Sequence, residues 1–375
     1  MSLQQPEAPG AGHGSNSNGH GLPAQRPVAS ALREPLVSVV IPAYQCAQYI
    51  GQAIQSVLDQ SFREYEIIVV NDGSPDTPEL EEALQPFSEL VRYFRQETRG
   101  PAGARNAGVR QARGKYLAFL DSDDYWSPKH LARLVAMLEE KPELDLAYCD
   151  CVLLKNNRPY MRAFKLQPQA KEVTFEALLA EDCAISTSST LVRREALLAA
   201  GLFDEAYLRC EDFDMWLRLS FRGARMAYHP DAEVYHRINE IGLSANRQAM
   251  LQDLVRVYKK TEATLPLSPR QRVIIHDMVA QAEAEDAIEQ LKTSLERKDF
   301  HEARHAATRA YEIKNSWKLR FSLFALRVSP RFFRALHLAR AYILKRRMYS
   351  RRTTAQTALC DRVRQEERST PLVHQ

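Results

Sequence analysis

The chain has 375 residues, a formal net charge of +4 and 45% hydrophobic residues, enough material for one large domain with an appendage or for two domains. The small charge argues against nucleic acid as a partner, and no apolar run approaches the ~20 residues a bilayer span needs, so membrane contact is expected to be peripheral at most. Six cysteines form no Cys-x-x-Cys pair, and the amino terminus lacks the basic-then-apolar order of a signal peptide, so a cytoplasmic protein is expected.

Residues 1–34 are rich in Gly, Ser, Asn, Gln, Pro and Ala and predict a disordered leader. From Val37 a strand precedes Pro42, and Tyr49, Ile50, Ala53, Ile54, Val57 and Leu58 recur at helical spacing. A second strand, Glu66 to Val70, ends in the turn-forming Asn71-Asp72-Gly73-Ser74. The pattern then predicts a helix from Pro78 to Phe87, a strand at Val91 to Phe94, and a helix from Pro101 to Arg113 closed by Gly114. Next comes an apolar strand through Leu120, ending in Asp121-Ser122-Asp123-Asp124. After it, Ser127 and Pro128 announce a further helix, and Leu144 to Tyr148 a strand. Such alternation predicts an α/β fold with a mostly parallel sheet flanked by helices. Residues 149–246 are less regular, though Phe213, Trp216, Leu217 and Phe221 mark an amphipathic helix headed by Glu211-Asp212. From about Leu251 the pattern is helical throughout. The expected organisation is a leader (1–34), a sheet domain (35–248) and a helical extension (249–375).

Polar clusters fall at the ends of expected strands or the starts of helices: Pro42-Ala43-Tyr44, Asn71-Asp72, Arg105-Asn106 and Asp121-Ser122-Asp123. Singly, each is an ordinary turn. Together they would line one edge of one sheet, where open α/β sheets bind ligands. In an extended backbone Asp121 and Asp123 face one way and Ser122 the other. Two hard oxygen donors suit Mn²⁺ or Mg²⁺ carrying a phosphate. A base on Tyr44, a hydrogen bond to Asp72 and Arg105 against a phosphate would complete a nucleoside diphosphate site. Neither a Gly-x-Gly-x-x-Gly turn nor a Gly-Lys-Ser/Thr phosphate loop is present.

These four segments, spelled Val-Ser-Val-Val-Ile-Pro-Ala-Tyr (37–44), Ile-Ile-Val-Val-Asn-Asp-Gly-Ser (67–74), Gly-Ala-Arg-Asn-Ala-Gly (103–108) and Asp-Ser-Asp-Asp (121–124), resemble glycosyltransferase family 2. The resemblance spans about Val37 to Ser244. It implies a GT-A fold, a nucleotide-sugar donor of UDP type, a divalent cation, and inverting, non-processive transfer to a glycan or lipid-linked acceptor. It places Pro42, Ala43, Tyr44, Asp72, Arg105, Asp121 and Ser122 at the nucleotide and Asp123, with Asp121, at the metal. Glu211-Asp212 matches the family's catalytic pair, with Asp212 as base. Helix-dipole stabilisation is the plain alternative for both carboxylates. Arg237 stands where the family contacts phosphate, and Asn239 where it often has His, which leaves a third metal ligand open. The competing function is a silent nucleotide-sugar-binding or scaffolding protein of the same fold.

Between Ile313 and Cys360 there are twelve basic residues and no Asp or Glu. A packed helix pair with a solvated basic face is one reading of that tail; docking at the inner face of the cell membrane is the other.

Overall fold

The computed structural model describes residues 34–167, 169–239 and 242–339, so the leader expected before Glu34 and the tail with Tyr342 and Lys345 to Arg347 lie outside the described residues. Two β-branched runs form β1 (Val37–Ala43) and β2 (Tyr65–Asn71), joined by α1 (Ala47–Leu58). Then come α2 (Thr77–Leu84), β3 (Arg92–Arg95), α3 (Gly100–Gln111), β4 (Tyr116–Phe119), β5 (Tyr125–Trp126) and α4 (His130–Glu140). β6 (Leu144–Lys155) turns back as β7 (Arg158–Arg162), and α5 (Ala163–Leu166) and α6 (Phe175–Leu179) lead to β8 (Thr190–Arg193) and α7 (Arg194–Ala199). α8 (Glu211–Phe221) and β9 (Arg225–Arg237) complete the sheet region. α9 (Arg247–Thr264), α10 (Pro269–Arg297), α11 (Phe300–Ile313) and α12 (Trp317–Val328) follow.

The strands form one sheet in the order β3-β2-β1-β4-β8-β6-β9-β5, with β7 on β6. β3, β2, β1 and β4 run parallel, as alternation of strands and helices predicts. Beyond β4 the sheet is mixed, which corrects the mostly parallel expectation. β8 is antiparallel to β4 and β6, β7 to β6 and β5 to β9, while β6 and β9 are parallel. At β6–β7 the cause is local. Asn156 and Asn157 both adopt positive φ, the geometry of a two-residue hairpin, so no helical crossover intervenes.

The parallel strands are apolar on both faces. Val37, Val39 and Ile41 of β1 and Ile67 and Val69 of β2 meet α1, α2 and α4, while Val40, Ile68 and Val70 meet α3 and α8 on the opposite side. Gly108 lets α3 lie close, since a Cβ there would stand 2.3 Å from Val40 Cγ1.

Pro42 does not end its strand. It pairs with Val70 inside β1, because its missing N–H faces the side from which β4, paired only as far as Val40, has already departed. α3 stops at Gln111 rather than at Gly114, and α4 begins at His130, after Ser127 and Pro128.

The helical extension shares the sheet's core. Val257 and Tyr258 of α9 are fully buried with α8 residues, Tyr258 donates to the Leu179 carbonyl at 2.9 Å, and Lys260 reaches Asp204 and Asp214 at 2.8 and 2.6 Å. α10 starts at a capping box between Ser268 and Gln271, and α11 is capped by Asp299.

Candidate active site

Successive parallel strands deliver their last residues to one edge. At the end of β2, Asp72 is 3% exposed, and its Oδ1 accepts from Gln96 Nε2 at 2.7 Å and from the Arg99 amide at 2.9 Å. The turn behind it is fixed by Asn71 Oδ1, which accepts from the Ser74 amide, and by Gly73 at φ +65°, where a Cβ would stand 2.6 Å from Thr98 Oγ1. Ser74 Oγ in turn accepts from the Gln45 amide and so holds the loop after β1. On that loop Tyr44 is 48% exposed, while Ala43 is buried in the strand end and Pro42 half-buried.

After β4 the acidic segment is a turn, closed by the Asp124 amide donating to the Asp121 carbonyl at 2.9 Å, and not the extension from which its side-chain directions were argued. The alternation survives nonetheless. Asp121 and Asp123 stay half-exposed, Ser122 is buried against the Cys46 thiol, and Asp124 is wholly buried. Asp124 accepts from Ser188 Oγ at 2.7 Å, from the Arg237 amide at 3.0 Å and from His236 Nδ1 at 2.9 Å. The facing Asp124 carboxylate raises His236 to about 9 despite burial. Asp124 and His236 are thus structural anchors that sequence reasoning missed; an acidic residue following Asp-x-Asp carries no signal that separates an anchor from a ligand.

Arg105 joins the two halves of the site. It rises from α3, is 4% exposed, and binds Asp121 Oδ1 and Glu211 Oε1 at 2.6 Å each. Burial works against its charge, and the two carboxylates outweigh burial and raise its pKa. Glu211 therefore does more than favour the start of α8. Its own carboxyl is pushed up by burial and drawn back by Arg105. Next to it, half-buried Asp212 accepts from Thr187 Oγ1 at 3.0 Å and from the Phe213 amide, and burial raises its pKa also. Thr187 and Ser188 are adjacent, so one buried turn steadies Asp212 through the first and Asp121 and Asp124 through the second. The run Ser186 to Thr190 was the signal for this turn, five small hydroxyl residues in an otherwise irregular stretch.

Arg237, expected at a phosphate, has every direction of its fork engaged. The guanidinium lies between Tyr49 and Tyr125, 5.0 and 5.1 Å from the ring centroids, and donates to Asn157 Oδ1, Gln52 Oε1 and the Asp123 carbonyl. These contacts fix the Asp123 backbone. Asn239 Nδ2 donates to Asp123 Oδ2.

Among the described residues no cluster of three or more His, Cys, Asp or Glu side chains is arranged to enclose a metal ion. The donor set fits a shared cation instead. Burial, then Asp124 and Asp121, raise the Asp123 pKa, a crowding of negative charge that a divalent ion held by one or two carboxylates and a ligand's phosphates would relieve.

Residues 38–197 match the family described as glycosyl transferase family 2. An uncharacterized glycosyltransferase of Rickettsia felis is 31% identical over 190 residues, 49% of this chain and 31% of that protein. The UDP-Glc:alpha-D-GlcNAc-diphosphoundecaprenol beta-1,3-glucosyltransferase WfaP of Escherichia coli is 28% identical over 56% of this chain and 81% of its own length. The chain spans only 31%, 28% and 65% of the lengths of three rickettsial relatives. Among solved structures, TarS 1-349 of S. aureus in complex with UDP-GlcNAc superposes with a TM-score of 0.55 at 18% identity, over 78% of this chain and 91% of that one. The mannosyltransferase PcManGT of Pyrobaculum calidifontis, in complex with GDP-Man and Mn2+, gives 0.54 at 21% identity, over 83% and 87%. The segment that matches glycosyl transferase family 2 carries Asp72, Arg105 and the Asp121–Asp124 turn, and the likeness to TarS 1-349 and PcManGT shows a GT-A-type fold.

Proposed function

We propose that the chain transfers a sugar from a nucleoside diphosphate donor to a glycan or lipid-linked acceptor with inversion, as a step of polysaccharide or cell-envelope assembly in the cytoplasm. The observation that supports this reading best is the pairing of Arg105 with Asp121 and Glu211, with Asp212 next along α8 and acting on the same guanidinium charge, which would put a carboxylate base beside the strand edge. Asp72, with Tyr44, Pro42 and Ala43 beside it, would take the base, while Asp121, Ser122 and Arg105 would take the ribose and diphosphate. Asp123 and Asp121 would hold Mn²⁺ or Mg²⁺, whose charge supports the departing diphosphate. Arg237 keeps the Asp123 segment in place. In the reaction the acceptor oxygen bonds to the anomeric carbon, the bond from that carbon to the diphosphate oxygen breaks, and Asp212 receives the acceptor's proton.

A UDP-type donor is favoured by the UDP-GlcNAc complex of the TarS neighbour and by the UDP-Glc-dependent relative from E. coli; the latter also supports a lipid-diphosphate-linked acceptor. The PcManGT complex supports Mn²⁺. The test is incubation of the purified chain with Mn²⁺ and a panel of nucleotide sugars, with nucleoside diphosphate release measured. Release from one donor class supports the reading. Release from none, with no diphosphate bound, contradicts it.

A further inference from the structure

α12 carries apolar side chains on two opposite sides. Leu319 and Leu326 are buried against α10 and α11. Trp317, Phe321, Phe324 and Val328, spaced i, i+4, i+7 and i+11, share the other side and are 51–74% exposed. In the helical run 330–339 Phe332 and Leu336 are also exposed. The first side satisfies what a packed helix requires; the second has no such account.

The charges beside this stripe have one sign. Exposed Lys318 lies to one side of it and exposed Arg320 and Arg327 to the other, and among the described residues none of these three forms an ion pair. The basic excess continues along the chain, with no Asp or Glu between Ile313 and Cys360. A second copy of the chain is a poor occupant, because isologous pairing would set these basic flanks against each other. An anionic bilayer satisfies both parts, taking aromatic side chains at the level of its headgroups and Lys and Arg at its phosphates.

We propose that α12 lays the Trp317, Phe321, Phe324 and Val328 stripe into the headgroup layer of an anionic membrane and so holds the protein at that surface. The assignment is independent of the transferase reading, and its test contains neither donor nor acceptor. Trp317 is 74% exposed, whereas the other two tryptophans, Trp126 and Trp216, are 3% and 1% exposed, so tryptophan emission reports on the stripe. The full chain is mixed with phosphatidylcholine vesicles with or without phosphatidylglycerol. The expected result is flotation with the anionic vesicles only, a blue-shifted Trp317 emission, and quenching by brominated lipid. Phe321→Ser, Phe324→Ser and Val328→Ser together should lower partitioning at least ~10-fold, since each loses apolar surface the interface would cover. Arg320→Gln and Arg327→Gln should each lower it about fivefold, the equivalent of ~1 kcal/mol per charge near the surface. Unshifted, unquenched emission in the presence of anionic vesicles overturns the proposal, and so does partitioning that the triple substitution leaves unchanged. A dimer in solution that the triple substitution dissociates, with no vesicle binding, would assign the stripe to a second copy instead.

Discussion

Replacing Arg105 by Met isolates the contact that ties α3, the Asp121 turn and α8 together. Methionine keeps most of the aliphatic stem and removes the fork, which leaves Glu211 buried without its partner at 2.6 Å. Breaking a buried pair in this way costs about 3–5 kcal/mol. The Asp121 arm adds little, because that side chain is 31% exposed and its pairing is screened by water, in the ~0–1 kcal/mol range of surface pairs. A loss near 3–4 kcal/mol is therefore expected, at the lower end because a carboxyl already raised by burial can take up a proton and shed its charge. Urea unfolding of wild type, Arg105→Met, Glu211→Gln and the double variant measures it. The double variant should be more stable than the sum of the two single losses predicts, by about 2 kcal/mol, since the neutral amide that Glu211→Gln introduces needs no cation. Strict additivity, or an Arg105→Met loss below ~0.5 kcal/mol, would refute the role of Arg105 as the link between the two halves.

Calorimetry should show nucleoside diphosphate binding that requires Mn²⁺ or Mg²⁺ and that Asp123→Ala weakens; equal affinity with Mn²⁺ and with EDTA would exclude Asp123 from a metal site. His130 supplies an acid-sensitivity test. It is fully buried against Trp126, and burial, then His229, lower its pKa to about 3, so it folds neutral. The unfolded chain takes up this proton below the usual value of 6.5, so stability falls as pH drops from there, by about 2 kcal/mol at pH 5, and the loss levels off near pH 3. In chemical unfolding across this range His130→Leu should show a shallower pH dependence than wild type, and identical slopes would contradict the assignment.

What the sequence could reveal followed from periodicity and from residue chemistry. β1 and β2 were legible because their runs are apolar at nearly every position, which only burial on both faces explains. Beyond β4 legibility fell. The reversal at Asn156 and Asn157 depends on two residues in left-handed geometry, and β8 finds β4 and β6 across long separations that no local pattern encodes. In the site, Asp72, Arg105 and Asp121 were visible as polar groups at the ends of strands or the starts of helices. The division of labour within each acidic cluster was not. Asp123 and Asp124 are neighbours of one type, yet one stays half-exposed and the other is buried under Ser188 and His236. Glu211 and Asp212 likewise differ in what lies opposite, Arg105 for one and Thr187 for the other. Pro42 misled because its missing donor costs nothing where the neighbouring strand has ended.

The most direct measurement compares Asp212→Asn with wild type for donor binding and for sugar transfer under saturating donor and Mn²⁺. Asparagine preserves size and the Thr187 contact but cannot take the acceptor's proton, so diphosphate affinity should stay within about twofold while turnover falls by ~10²–10⁴. Near-normal turnover in Asp212→Asn, with Glu211→Gln inactive though folded, would contradict the account and move the base to Glu211.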